Sequence, residues 1–213
     1  MNDSTASHRF LPTWALWTAG FVAFPFAGLA GTAVAGRVDD AGAALTGGLI
    51  TGLVIGAAQA LASRRRLDPL RWLPATALGM GAGLLLGAWA VDYQTSLIDL
   101  TVMGALTGLV LGPAQALALP PRTAHRWGWA VAMPGLWALS WVVTTLAGIH
   151  VEDQFTIVGI SGAFTFSAVS GLLLHRLLPF EDRNPPRESP APIPVPARPP
   201  RQTSELPSHT ATR

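Results

Sequence analysis

Between consecutive charged side chains the sequence leaves six long apolar intervals: Arg9 to Arg37, Asp40 to Arg64, Arg71 to Asp92, Asp99 to Arg122, Arg126 to Glu152, and Asp153 to Arg176. Each encloses at least twenty residues without Asp, Glu, Lys or Arg. A helix rises about 1.5 Å per residue, so about 20 residues cross a hydrocarbon core about 30 Å thick. The pattern therefore predicts six helical spans, at about 12–35, 42–62, 72–91, 100–119, 127–149 and 156–175. A helix on the surface of a water-soluble bundle carries a polar stripe at helical spacing, and none of these segments has one. The expected fold class is an all-α polytopic membrane protein. Residues 1–10 form a short N-terminus, 11–178 the transmembrane domain and 179–213 a tail.

The spans are not six independent helices. "GLITGLVIGAAQALA" at 48–62 is nearly repeated by "GALTGLVLGPAQALA" at 104–118, with eleven identities. A weaker third copy, "GISGAFTFSAVSGLLL", begins at Gly159, 55 residues after Gly104, just as Gly104 follows Gly48 by 56. In that copy Ser170 stands where the others have Gln59 and Gln115. The preceding helix also recurs, beginning Arg-Trp at 71–72 and 126–127 and Pro-Thr-Trp at 12–14. The sequence thus predicts three helical hairpins, each entering the membrane the same way. They are parallel repeats, and a pseudo-threefold bundle is their natural closed arrangement.

Charge sets the orientation, because cytoplasmic loops are enriched in Lys and Arg. The connection after the second span carries Arg64, Arg65, Arg66 and Arg71, and that after the fourth carries Arg122 and Arg126. The other three connections, at 36–40, 91–99 and 149–154, are net acidic. Both basic loops and both termini are expected on the cytoplasmic side of a cell membrane. Trp14, Trp17, Trp72, Trp127 and Trp129 then fall at inner ends of spans, and Trp89 and Tyr93 at an outer end, where headgroup-level aromatic belts form. Trp137 and Trp141 lie deeper, as core. "TAVAG" at 32–36 has the small-x-small spacing of a signal-peptidase site. The length of the preceding stretch, Pro25 within it and its two leading tryptophans favour a retained span.

The small residues inside the spans need a physical reason, since glycine in a helix costs about 1 kcal/mol relative to alanine. Small residues four apart let helix backbones approach closely in lipid. Gly48, Gly52 and Gly56, then Gly104, Gly108 and Gly112, then Gly79, Gly83 and Gly87 make such ladders, and Gly28, Thr32 and Gly36 extend the pattern to the first span. Gln59 and Gln115 stand three residues beyond the last glycine of their ladders, on the same face. Their amides are expected to hydrogen-bond across the repeat interface. The alternative is that they line a small polar constriction, with Thr51 and Thr107 above them.

No ionisable residue lies deep in a span, which disfavours ion-coupled transport and proton relays. The five histidines do not converge on a metal site and cysteine is absent, so no metal ligand set is expected. No Ser or Thr in the spans has a base at its depth, so no catalytic residue is expected and neither is an enzyme or a cofactor. All fourteen basic residues are arginine, but they flank spans rather than forming an aromatic-studded patch, which argues against nucleic acid. The outer acids Asp39, Asp40, Asp92, Asp99, Glu152 and Asp153 read as ordinary loop acids rather than a cation-attracting mouth. The tail is proline-rich around "PPRESPAPIPVPARPPR" at 185–201 and reads as extended and solvated. It could also serve as a docking strip for a cytoplasmic protein, and a homo-oligomer is compatible with the ladders.

The repeated G-x3-G-x3-G-x2-Q-x-L ladder, followed by a basic loop and a Trp-led glycine-rich helix, resembles a loose group of uncharacterised bacterial multi-pass membrane proteins. The resemblance covers about residues 43–143 and rests on Gly52, Gly56, Gln59, Trp72, Gly108, Gly112, Gln115 and Trp127. It implies a bacterial membrane location and no activity. The charged P-x-[DE]-x-x-[KR] signature of mitochondrial-type carriers is absent from all three units. The leading expectation is a structural or interaction component of the bacterial cytoplasmic membrane. A passive channel or transporter for a small neutral solute is the alternative.

Overall fold

The computed structural model describes residues 3–64, 66–121, 123, 125–149, 151 and 159–177, with side chains from residue 11 onward. Arg65, Arg122, Glu152, Asp153 and the tail lie outside the described residues. The described backbone is helical throughout: α1 (Asp3–Ala19), a 3-10 turn (Gly20–Val22), α2 (Ala23–Ala35), α3 (Ala41–Ala62), α4 (Pro69–Ala90), α5 (Leu97–Ala118), α6 (Arg126–Leu146) and α7 (Ile160–Leu177). Five segments among them are long and apolar enough to cross a membrane, the first running continuously from Leu11 to Ala35. α7 is a further apolar helix of 18 residues that ends with His175 and Arg176 in its last turn. The chain is a multi-pass membrane protein. Its apolar side chains face outward to a degree water would not tolerate, with Leu61 80%, Val131 79% and Leu70 87% exposed.

Helix ends are set by local chemistry. Asp40 caps α3, its carboxylate accepting from Ala43 N at 2.8 Å. Asp68 caps α4 with Pro69 at the first helical position, where no amide proton is needed. Ser96 and Asp99 form a reciprocal capping box on α5. These caps start α4 and α5 about three residues before the apolar intervals do, because a capping turn is polar while belonging to the helix. They also give two of the outer acids, Asp40 and Asp99, a structural occupation. At the other end of the chain, α1 begins at Asp3, within the segment that reads from sequence as a separate N-terminus. Inside the first span, Pro25 has no amide proton to offer the carbonyl of Phe21, and the helix tightens there into the 3-10 turn.

Each helix packs antiparallel against its neighbours in the chain: α2 on α3, α3 on α4, and so on to α6 on α7. α7 then returns to α1 and to the 3-10 turn, so the spans close into a ring. Glycines set the spacing. A methyl group on Gly48 would lie 2.8 Å from Gly81 Cα, and one on Gly52 would lie 2.7 Å from Thr76 O. On the next pair, Gly83 would meet Thr107 O at 2.8 Å and Gly87 would meet Met103 O at 2.6 Å. On the pair after that, Gly108 would meet Met133 O at 2.5 Å and Gly112 would meet Ala130 O at 2.7 Å. Ala130 is the residue whose carbonyl loses its helical partner because residue 134 is proline, so the glycine lies against an oxygen free to receive a Cα–H contact. All these contacts are within one chain.

The first span departs from this rule. Its point of close approach to α3 is Gly31, where a methyl group would lie 2.6 Å from Thr51 Oγ1 and 3.0 Å from Gly47 O. Gly28 and Gly36 have no other atom within 4 Å of that position. The Gly28, Thr32 and Gly36 row therefore does not pack on a helix. It is one position out of phase with the real contact, and it faces a cavity.

Candidate functional site

The end of the bundle that carries Arg64, Arg66, Arg71 and Arg126 is filled by a layer of hydrogen-bonded tryptophans. Gln59 and Gln115 are the fourth residues from the ends of α3 and α5, and Trp72 and Trp129 are the fourth residues of α4 and α6. Each pair therefore sits at one depth across a loop. Trp72 Nε1 donates to Gln59 Oε1 at 3.1 Å, and Trp129 Nε1 donates to Gln115 Oε1 at 3.0 Å. Gln115 Nε2 donates to Thr76 Oγ1 at 3.0 Å and reaches Gln59 Oε1 at 3.5 Å. The third position is Ser170, whose Oγ accepts from Trp17 Nε1 at 3.1 Å. Trp14 Nε1 donates to Ala168 O at 2.9 Å beside it.

The three rings meet at the centre. Trp129 lies edge-on to Trp72 with centroids 6.1 Å apart and edge-on to Trp17 at 6.5 Å. Trp72 and Trp129 are 0% exposed and Gln115 is 1% exposed, so the layer lies in the interior of the bundle. Toward the arginine end it is floored by Leu67 and Leu119, which turn inward from the two basic loops and are also fully buried. Ser63 anchors the first loop, its Oγ donating to Ala60 O and accepting from Leu67 N. A buried indole without a partner costs about 1–3 kcal/mol, and here all three indoles have acceptors, which fixes the layer's geometry.

Beyond the layer, toward the acidic loops, the bundle holds a cavity of about 390 Å³. Ile55 and Met80 lie at its floor and belong to the same apolar core as the tryptophans. Phe24, Leu84, Trp137 and Trp141 supply apolar wall, and Arg37, Asp39, Tyr93, Gln94 and Thr95 lie at the loop end. The hydroxyls of Thr32, Thr51, Thr107, Ser140 and Thr144 punctuate the wall between. Among the described residues no group of three or more His, Asp or Glu side chains is placed to hold a metal ion.

Sequence reasoning placed Trp17, Trp72 and Trp129 in a headgroup belt, and the structure places them in the interior. Among the inner-end tryptophans Trp127 is the exposed one, at 52%, with the Arg126 guanidinium 5.8 Å from its ring centre; Trp89 is exposed at the opposite end. It is Trp129, two residues after the recurring Arg-Trp, that matches Trp72 in burial and bonding. Thr76, the second partner of Gln115, was not singled out from sequence. The signal that could have found the pairs is spacing: Gln59 to Trp72 is 13 residues and Gln115 to Trp129 is 14, a loop's length apart at matched depth. Of the residues expected to fix topology, Arg64, Arg66, Arg71 and Arg126 are described, at the loops that floor the layer.

No known family model matches the chain, and no curated protein or solved structure is similar to it.

Proposed function

We propose that this chain is a structural or interaction component of the bacterial cytoplasmic membrane, a sealed bundle rather than a solute conduit, with its basic loops and both termini on the cytoplasmic side. The observation that carries the reading is the Trp–Gln layer: three buried indoles, each satisfied, stand across the centre of the ring where a solute path would have to run. The glutamines serve this layer as acceptors for tryptophan, which supports a packing role over a pore-lining one. The loop charges support the orientation, as arginine collects at the end the layer closes.

The same bonds support three hairpin units joined in a circle. Gln59 of the first unit binds Trp72 of the second, Gln115 of the second binds Trp129 of the third, and Ser170 of the third binds Trp17 of the first. Every link joins the ladder helix of one unit to the leading helix of the next. Serine in the third place fits the weaker third copy, since a hydroxyl can accept one indole proton but cannot reach a second helix as Gln115 does.

Stopped-flow light scattering of liposomes containing the full chain tests the reading. Permeability to water, glycerol and urea equal to that of empty liposomes is expected, and a protein-dependent rise in any of them would overturn it. For the interaction role, native mass spectrometry after gentle extraction should find a stoichiometric second protein that is lost when residues 179–213 are deleted.

A further inference from the structure

We infer that the cavity between α2 and α6 is a binding site for an uncharged, mainly apolar molecule that carries a hydroxyl or amide group. Its volume is the first ground. At about 30 Å³ per water molecule, 390 Å³ holds about a dozen, and it falls within the usual range of ligand pockets of about 300–1,000 Å³. Among the described residues, α2 offers Gly28, Thr32 and Gly36 to this space instead of large side chains. α1 packs on α7, whereas α2 packs on α3 and touches α7 only slightly. The wall of α2 thus stands apart from that of α6.

The chemistry of the wall selects the ligand. Thr32, Thr51 and Thr107 already donate their hydroxyl protons to the carbonyls of Gly28, Ala27 and Met103, at 2.9, 3.2 and 2.8 Å. Their oxygens can still accept, and Ser140 and Thr144 add hydroxyls able to donate, so the wall suits a ligand group that can do both. Between these hydroxyls Phe24, Leu84, Met103 and Trp137 present apolar surface suited to a hydrocarbon body. Among the described residues no ionisable side chain lines the cavity away from its loop end, so a charged ligand would lose its hydration without a counterion there. The site rests on the sealed-bundle reading only in having a closed floor.

The test uses the full chain in liposomes and a decanol bearing a mid-chain diazirine as the probe. After photolysis, adducts should map to cavity residues such as Phe24, Met103 and Trp137 and be competed by plain decanol. The double variant Gly28→Leu/Thr32→Leu fills the cavity from two of its lining positions, Gly28 having no atom within 4 Å of where a methyl group would stand, and leaves the Gly31 contact alone. It should reduce those adducts about tenfold at an unchanged thermal midpoint. If the double variant unfolds, Thr32→Leu alone should still reduce them measurably. The matching decyl trimethylammonium and decanoate probes should label the cavity no more than background. Adducts confined to lipid-facing Phe26 and Val131, undiminished labelling in a folded variant, or equal labelling by the charged probes would each overturn the inference. Liposome permeability is read on the same preparations. Absent adducts with no flux would defeat the site and leave the sealed bundle standing, whereas cavity adducts with protein-dependent flux would do the reverse.

Discussion

The two ends of this bundle share one helix-packing rule and have opposite interiors. Glycine ladders in α3, α4 and α5 bring neighbouring backbones into contact on both sides of the boundary between the arginine end and the acidic end. Yet the first end is filled by Trp17, Trp72, Trp129 and two glutamines, and the second encloses a cavity. Helix spacing therefore does not decide whether a ring of spans is open. The residues that face the axis decide it, and here they change from indole and amide to glycine and hydroxyl over about two turns.

The comparison can be broken first at the shared rule. Gly108→Leu puts a side chain where even a methyl group would be 2.5 Å from Met133 O. It should destabilise the bundle by about 3 kcal/mol or more. Gly135→Leu, with no atom within 4 Å to meet, should change the thermal midpoint in detergent very little. Gln115→Leu acts on one end only. It leaves the buried Trp129 indole and Thr76 hydroxyl without their partner and should cost about 1–3 kcal/mol. Adding Trp129→Phe should recover part of that loss, a sign of coupling that chemical denaturation can measure as a double-mutant cycle. Ser170→Ala leaves one buried donor, the Trp17 indole, without its acceptor and should cost less, about 1 kcal/mol at the low end of that range. Smallest of all, Thr107→Val at the cavity wall should cost under about 1 kcal/mol, because its hydroxyl bonds only a carbonyl of its own helix, which keeps its helical partner.

How much of this was legible in the sequence follows the same division. The spans were legible because hydrocarbon excludes charge, and the helix-packing glycines of α3, α4 and α5 because four-residue spacing keeps one face. Phase was harder. In the first span two small-residue rows, one through Gly28 and one through Gly31, are equally good on paper, and only the packed helices show that the second meets α3. The glutamines stood out because an amide in an apolar run needs a partner, but the partner was not legible. A tryptophan near a span end suits a headgroup belt as well as it suits the axis, and four residues of helix bring either outcome. The cavity has no sequence signature of its own, since it is the sum of what several helices omit.

The most direct test of a sealed arginine end uses the absence of native cysteine. Single variants Thr76→Cys and Ser170→Cys place near-isosteric thiols in the layer, while Asp39→Cys and Arg64→Cys place them at the two loop ends. Each is challenged in intact cells and in inverted vesicles with a membrane-impermeant maleimide. The account predicts that Asp39→Cys reacts from outside, Arg64→Cys reacts from the cytoplasmic side, and both layer thiols stay unmodified from either side until the protein is denatured. Rapid modification of Thr76→Cys or Ser170→Cys in the folded protein would mean that water crosses the layer, and would contradict the account.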